Sequence, residues 1–515
     1  MSETIGMCIG EASPTQVMFV SKKKVKIGEF VVLEYEGSKV LGMIQALIKG
    51  SLSITEDIYD PRVVEKIKSM EGEDFYIKGS IKILGDLENL KIPRIPPTPG
   101  TEVKLASSED LRKVFGQEEA GVKIGSLVTR SDVPVYLDIN KLVSRHLAIL
   151  AITGYGKSNT VAVLCDEMLR FNGSILIFDM HSEYTRLPLK NGSLNIIPTK
   201  INPFKLSFKE LAILADINPE VAFIQYRYLR MAMAEAKKAC EKRPSEFFDK
   251  IVEVLEGYIG NKDYAKDKNS IIGVIGKIES LREEYANILD FFAPKILEAL
   301  KIKSVNVIDL GSVDEECADV IVSHILRNIL ESRRNYKRGE QGLSFPIFLV
   351  LEEAHVLAPY DKETLSKYWI GRIAREGRKF GIGLCLVSQR PKRLDSDSLS
   401  QANNMIILKL VEPSDQRYVQ QASEVLSQDL LEQLPSLNVG EAVIIGPCIK
   451  VPALVKIDEF EGKLVGTDPN VKKEWEEAWG REKREEEDKI AYFQEVILKE
   501  RERKLSEEKI NKNRE

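Results

Sequence analysis

The stretch Leu147–Val163, LAILAITGYGKSNTVAV, constrains the fold of this chain more than any other. Leu147-Ala148-Ile149-Leu150 is an apolar run of strand length. Thr153-Gly154-Tyr155-Gly156-Lys157-Ser158-Asn159 comes next, and Val161, Leu164 and Met168 continue at helical spacing. Strand, glycine loop, Lys-Ser and helix in that order is the layout of a phosphate-binding loop. Gly154 and Gly156 let backbone N–H groups turn inward without Cβ clashes. The helix start adds partial positive charge. Lys157 can reach β- and γ-phosphates, and the Ser158 hydroxyl suits Mg²⁺. Ala151 stands where G-x-x-x-x-G-K-S usually has its first glycine, a place that alanine fills if its φ stays negative. A chance Gly-Lys-Ser turn is the competing explanation, and the flanking strand and helix argue against it.

With 515 residues the chain has room for more than one domain. A hydrophobic content of 43% with 30% charged residues fits a soluble globular protein. The net charge of −5 excludes a global attraction to nucleic acid, so any such contact needs a local basic surface. The cysteines are scattered and form no C-x-x-C pair, which points to reduced core thiols in a cytoplasmic protein. No apolar run is long enough for a bilayer, and the N-terminus carries no signal-peptide pattern.

Residues 1–91 read as short strands between glycine turns, a small β-barrel suited to assembly or partner docking. Lys22-Lys23-Lys24 in that stretch is either a phosphate contact or a solvated turn. Residues 92–121 open with the proline-rich IPRIPPTPG and read as a linker. Residues 122–205 form the first part of an α/β core that contains the glycine loop. Its second buried strand, Ser174–Asp179, ends in Asp179-Met180-His181-Ser182-Glu183-Tyr184, and strand ends of this kind gather around ligands in open α/β sheets. That brings Asp179 and Glu183 toward the phosphate loop, although His181 and Glu183 also suit a turn that caps the next element. Residues 206–302 lose the strand pattern and read as a helical insertion.

The core resumes over 303–460. Phe345–Leu351 is an apolar strand that ends in Glu352-Glu353-Ala354-His355. Two acids at a strand end, downstream of a phosphate loop, are how an ATPase orders Mg²⁺ and its attacking water. Adjacent carboxylates leave a strand in different directions, so one can hold Mg²⁺ through water while the other polarises the nucleophile. A helix over 364–379 follows, with Arg375 and Arg378 on one face. The strand Gly383–Ser388 then ends in Gln389-Arg390-Pro391-Lys392-Arg393. Residues 461–515 are highly charged and predict a long amphipathic helix that carries Trp475, Trp479, Ile490, Phe493 and Ile497 and frays from about Ser506.

Arg145-His146-Leu147-Ala148-Ile149 before TGYGKS, then FDMHSEY, LVLEEAHVLAP, IAREGRKFGIGLCLVSQRP and Asp415-Gln416-Arg417-Tyr418-Val419 together resemble the archaeal HerA branch of the HerA–FtsK family of hexameric DNA-pumping ATPases. The resemblance runs from the barrel to about Phe460. It implies an α/β fold: a RecA-like P-loop ATPase core with an N-terminal HerA/ATP-synthase-type barrel, a helical insertion and a C-terminal helical extension. It also implies a homo-hexameric ring with double-stranded DNA in its channel. The implied partners are a NurA-type nuclease, in DNA end resection, and the break-sensing nuclease–ATPase complex. By motif position, Thr153 to Asn159 would bind ATP, and Ser158 with Glu352 would support Mg²⁺, with Asp179 nearby. Glu353 would be the catalytic glutamate and Gln389 the polar sensor. Arg378 would be an arginine finger given to the next subunit, and Arg145 a second arginine at that junction. Ser182 departs from the commoner HGEY.

The expected function is an ATP-driven double-stranded DNA translocase or helicase in double-strand break repair. A ring ATPase that moves single-stranded DNA or protein is the first alternative, but that class usually brings membrane segments. A non-catalytic DNA-binding scaffold is the second, and the intact Lys157 and Glu353 argue against it. Two basic loops, Lys362–Lys367 and Arg390–Arg393, compete as the DNA grip.

Overall fold

The structure, a computed structural model, describes residues 3–71, 75–116, 118–423, 426–462 and 471–512. The N-terminal strands are β1 (Thr4–Ala12), β2 (Gln16–Ser21), β3 (Phe30–Tyr35), β4 (Ser38–Gly50), β5 (Tyr76–Asp86) and β6 (Glu102–Leu105), closed into a barrel in the order β1-β2-β5-β4-β3-β6. Ile5, Cys8, Val17, Phe19, Val31, Leu33, Ile44, Ile81 and Val103 fill it. Phe30-Val31-Val32-Leu33 has no polar alternation because it has no wet face. Val31 and Leu33 point into the barrel, while Phe30 and Val32 join the core of the large sheet.

The closing strand β6 lies inside the stretch that reads as linker. It has only four residues, two of them charged, so it carries no strand signal. Pairing with β1 on one side and β3 on the other holds it in place. A capped helix, Ser108–Phe115, follows it within the same stretch.

The remaining strands are β7 (Gly121–Leu127), β8 (Arg130–Asp138), β9 (Leu147–Leu150), β10 (Ser174–Asp179), β11 (Ser193–Ile197), β12 (Ser304–Asp309), β13 (Ile347–Leu351), β14 (Ile382–Ser388), β15 (Asn404–Ile407), β16 (Glu441–Ile445) and β17 (Ala453–Ile457). They form one 11-stranded sheet in the order β11-β12-β10-β13-β14-β9-β15-β16-β17-β7-β8. From β11 to β15 neighbours run parallel, and from β15 onward antiparallel. Strands β9, β10, β13 and β14 are buried along their whole length, as strands covered on both faces must be. The carboxyl ends of these four strands lie on one edge, and there the loops that carry Lys157, Glu183, Glu353 and Gln389 converge.

Between β11 and β12 the chain is helical, with Phe223–Ala239, Phe247–Ile259 and Lys268–Glu284 as its longest pieces. Each buries one apolar stripe, such as Ile271, Val274, Ile278 and Leu281. All six cysteines are buried and free. A separate unit beyond Val465 consists of the helix Val471–Lys512, which continues past the expected fraying point at Ser506. Trp475, Trp479, Ile490, Phe493 and Ile497 are exposed on it. The start of this charged extension, residues 463–470, lies outside the described residues. Among the described residues no helix is long and apolar enough to cross a membrane.

Candidate functional site

The phosphate loop leaves β9 between β14 and β15 and enters the helix Lys157–Leu169. Gly154 and Gly156 have φ of 79° and 99°, which only glycine adopts at little cost. Where a Cβ on Gly154 would stand, no atom lies within 4 Å, so the loop is an open cradle of backbone. Ala151 is buried and is not among the residues with positive φ, so alanine fits in place of glycine. Thr153 donates its hydroxyl hydrogen to Gln389 Oε1, which ties the loop to the end of β14. The Tyr155 ring lies 5.0 Å from Lys409 Nζ.

Four acids crowd the head of this loop. Ser158 Oγ donates to Glu183 Oε2 at 2.5 Å. Lys157 is half-buried, and burial pulls its ammonium below the usual lysine range while Glu353, Glu352 and Glu183 pull the other way. Glu352 is 4% exposed, and its Oε1 accepts the Tyr184 hydroxyl at 2.6 Å. Burial pushes its carboxyl up to about 8, helped by the neighbouring Glu183, Asp179 and Glu353 charges and opposed by the Tyr184 bond.

Glu353 behaves differently. Burial works to raise it, but His355, Lys157 and His181 outweigh burial and hold it below the usual range. His355 Nδ1 lies 3.1 Å from Glu353 Oε2. Oε2 is buried, with His355 as its charge partner and no hydrogen bond of good geometry among the described residues. Glu353 also has φ 43° and ψ 46°, a left-handed conformation that side chains other than glycine rarely take. An inward-facing N–H cradle, a lysine, a serine hydroxyl, a buried acid and an ionised carboxylate suit a nucleotide phosphate with its divalent cation.

Two expected site residues also hold backbone with their side chains. Asp179 is fully buried, with burial raising its carboxyl. Its Oδ1 accepts the N–H groups of His181 and Glu183 at 3.3 and 3.0 Å, and Oδ2 accepts Tyr184 N–H at 2.8 Å. It therefore shapes the turn that presents Glu183 and Tyr184. Asn159 uses its amide on the chain beyond β17: Nδ2 donates to Asp458 O at 2.9 Å, and Oδ1 accepts Phe460 N–H at 2.8 Å. Ser182 takes φ 59°, and its hydroxyl donates to Asp309 Oδ1 at 2.7 Å, which offsets the strain of a non-glycine residue there.

Arg145 and Arg378 are not at this edge. Arg145 ends the helix Ile139–Arg145 just before β9, and Arg378 lies in the turn Gly377–Phe380 just before β14. Both therefore sit at the amino ends of their strands. The seven residues of β14 separate Arg378 from the nucleotide edge, about 20 Å of strand rise. The helix of Arg145 packs against the turn of Arg378, so the two share one face. Among the described residues neither has an acidic partner, and Arg378 is exposed.

The two basic loops form one surface. Tyr360 N–H donates to Arg393 O at 2.8 Å, and Pro359 bridges Leu394. Lys392 pairs with Glu412 at 2.5 Å and Lys367 with Glu363 at 2.8 Å, whereas Lys362, Arg390 and Arg393 are exposed with no acidic partner among the described residues.

Sequence reasoning left Glu183 open and missed the roles of Tyr184, His355 and His146. Glu183, Tyr184 and His146 act on residues far along the chain, whereas His355 acts on Glu353 two residues before it, and only the order FDMHSEY and EEAH hinted at the first three.

The family model of the helicase HerA central domain matches residues 122–329, and that of the HAS barrel domain matches residues 5–89. A probable helicase of Methanocaldococcus jannaschii is 44% identical over 92% of this chain and 94% of its own length. The DNA double-strand break repair helicase HerA of Sulfolobus acidocaldarius is 45% identical over 92% of this chain and 97% of its own, and that of Sulfurisphaera tokodaii is 46% identical over the same shares. The chain belongs to the HerA helicase family and is a nucleotide-binding, ATP-hydrolysing enzyme.

Proposed function

We propose that this protein is an ATP-driven double-stranded DNA translocase that works as a homo-hexameric ring in the cytoplasm, with a NurA-type nuclease, to resect DNA ends in double-strand break repair. The relatives named for break repair support the repair role. The backbone cradle and Lys157 bind the phosphates of ATP, and Ser158 with Glu352 would hold Mg²⁺. Held there, Mg²⁺ would supply charge neutralisation to the phosphates. Glu353 stays ionised at neutral pH, because His355, Lys157 and His181 favour its charge. Its carboxylate accepts a hydrogen bond from the attacking water and takes that water's proton. Gln389, at the end of β14, senses the γ-phosphate position and is linked to the phosphate loop through Thr153.

The observation that carries the ring is the pair of arginines at the far edge. Among the described residues Arg145 and Arg378 have no acidic partner, and they lie about one strand length from their own phosphate loop, so a neighbour's nucleotide is the charge they can serve. A finger of this kind is worth about 10³–10⁵ in rate. Lys362, Arg390 and Arg393 form the basic surface that an acidic chain needs to hold DNA phosphates. The barrel is the nuclease dock: Ile48, Leu52, Tyr59 and Met70 are exposed apolar residues on β4 and on the connection from β4 to β5.

Mixing subunits tests this. Arg378→Ala and Lys157→Ala should each assemble and each hydrolyse almost nothing. Mixed, they should regain ATPase activity stimulated by linear duplex DNA, because some junctions join an intact Lys157 site to an intact Arg378. Proven subunit exchange with no regained activity would sink the reading.

A further inference from the structure

Immediately after Arg145 the chain adopts a backbone that glycine would adopt more readily. His146 has φ 58° and ψ 166°, a region that is essentially glycine's own. Yet the residue is a histidine, 3% exposed, and its ring is fully engaged. Nδ1 accepts the Leu384 N–H at 3.0 Å. A backbone N–H can only donate, so Nδ1 is bare and Nε2 carries the hydrogen, which it donates to Ala374 O at 3.0 Å. Burial lowers the ring to about 4, so it is neutral at working pH and keeps this single tautomer. The His146 carbonyl in turn accepts Asn404 Nδ2 at 2.7 Å. Asn404 is itself buried, donating to Lys141 O and accepting Cys448 N–H.

One imidazole thus joins the end of the Arg145 helix to β14 and to the last turn of the helix Leu365–Glu376. From Ala374 the chain reaches Arg378 in four residues. The same turn is held from the other side by Arg333, a buried arginine of the helix Glu315–Lys337, whose Nε donates to Phe380 O at 2.8 Å. Neither contact touches the phosphate loop. A histidine in a glycine conformation, with both nitrogens spent on backbone, serves the spacing between two arginines better than it serves the local fold, where glycine would relieve the strain.

We infer that His146 is a positioning residue: its ring sets the placement of Arg145 relative to Arg378 at the sheet edge, and so sets the catalytic help that one subunit lends to the next. This rests on the neighbour-facing role given to Arg378 above. It places His146 on the donor side of a junction and leaves its own subunit's nucleotide site intact.

The test uses His146→Asn in the full-length protein. The asparagine amide oxygen can still accept the Leu384 N–H, but the side chain has no group to reach Ala374 O. His146→Gly, which relaxes the backbone and removes the ring, is the second variant. For both, kcat should fall roughly 10–100-fold, the scale of a 1 Å misplacement, with nucleotide Kd within about threefold of wild type. Mixed with Lys157→Ala, either variant should regain activity. Mixed with Arg378→Ala, neither should, because both subunits then give a faulty edge. Wild-type kcat, a parallel loss of nucleotide affinity, or equal recovery in both mixtures would overturn the inference while leaving the ring reading intact. If the Arg378→Ala and Lys157→Ala pair itself regains nothing, the ring reading falls and this inference falls with it.

Discussion

Glu352 should make the nucleotide-free protein less stable, and replacing it with glutamine should make that protein more stable as activity is lost. In the unfolded chain Glu352 ionises near 4.5, and in the folded protein near 8. Between those values the unfolded chain has released a proton that the folded chain keeps, so stability falls as pH rises, and the loss is complete above about 8. At about 1.4 kcal/mol per pH unit, the cost is under about 1 kcal/mol at pH 5, about 3 at pH 7 and about 5 at pH 9. Glu352→Gln keeps the shape and can still accept the Tyr184 hydroxyl, but it has no charge to bury. Thermal unfolding of the apoprotein at the three pH values, wild type against variant, reads the difference directly. At roughly 1–2 °C per kcal/mol for a unit of this size, the variant should gain about 1 °C at pH 5 and about 5–10 °C at pH 9. Nucleotide with Mg²⁺ should stabilise the wild type more than the variant. An equal gain at all three pH values, or none, would refute the claim that a buried charge is the cost.

Glu353→Gln keeps size and hydrogen-bonding capacity but loses the base, so turnover should fall about 10²–10⁴-fold with nucleotide Kd little changed. A matching loss of binding would instead make Glu353 a cation or structural residue. Arg390→Ala and Arg393→Ala should each reduce the slope of log DNA affinity against log salt by about 1, with no change in sequence preference; an unchanged slope would put the DNA elsewhere. Tyr59→Ser with Met70→Ser on the barrel should weaken nuclease binding at least about tenfold, since truncating an apolar anchor costs about 2 kcal/mol or more, while ATPase activity without the nuclease holds. Full nuclease affinity in that variant would move the dock off this surface.

What could be read from the sequence follows from how each part is built. The phosphate loop is made by the backbone of consecutive residues, so Gly154, Gly156, Lys157 and Ser158 announce it locally. The acid pair was legible for the same reason, as it ends an apolar strand. Asp179 sits at the expected strand end, but whether its oxygens face a cation or three backbone N–H groups depends on how the next five residues turn. Asn159 adjoins Ser158 in sequence, yet its amide is bound by the chain at Asp458 and Phe460, some 300 residues on. Strand β6 escaped because four residues held by two neighbours need no pattern of their own. His146 left no trace, because a positive φ on a histidine is imposed by its partners at Ala374, Leu384 and Asn404. The arginines at the far edge were named only through family resemblance. Among the described residues of one chain they are cations without acidic partners at the amino ends of β9 and β14, about one strand length from the phosphate loop, so nothing local marks them; only in the proposed ring would a neighbouring subunit's nucleotide give them a charge to meet.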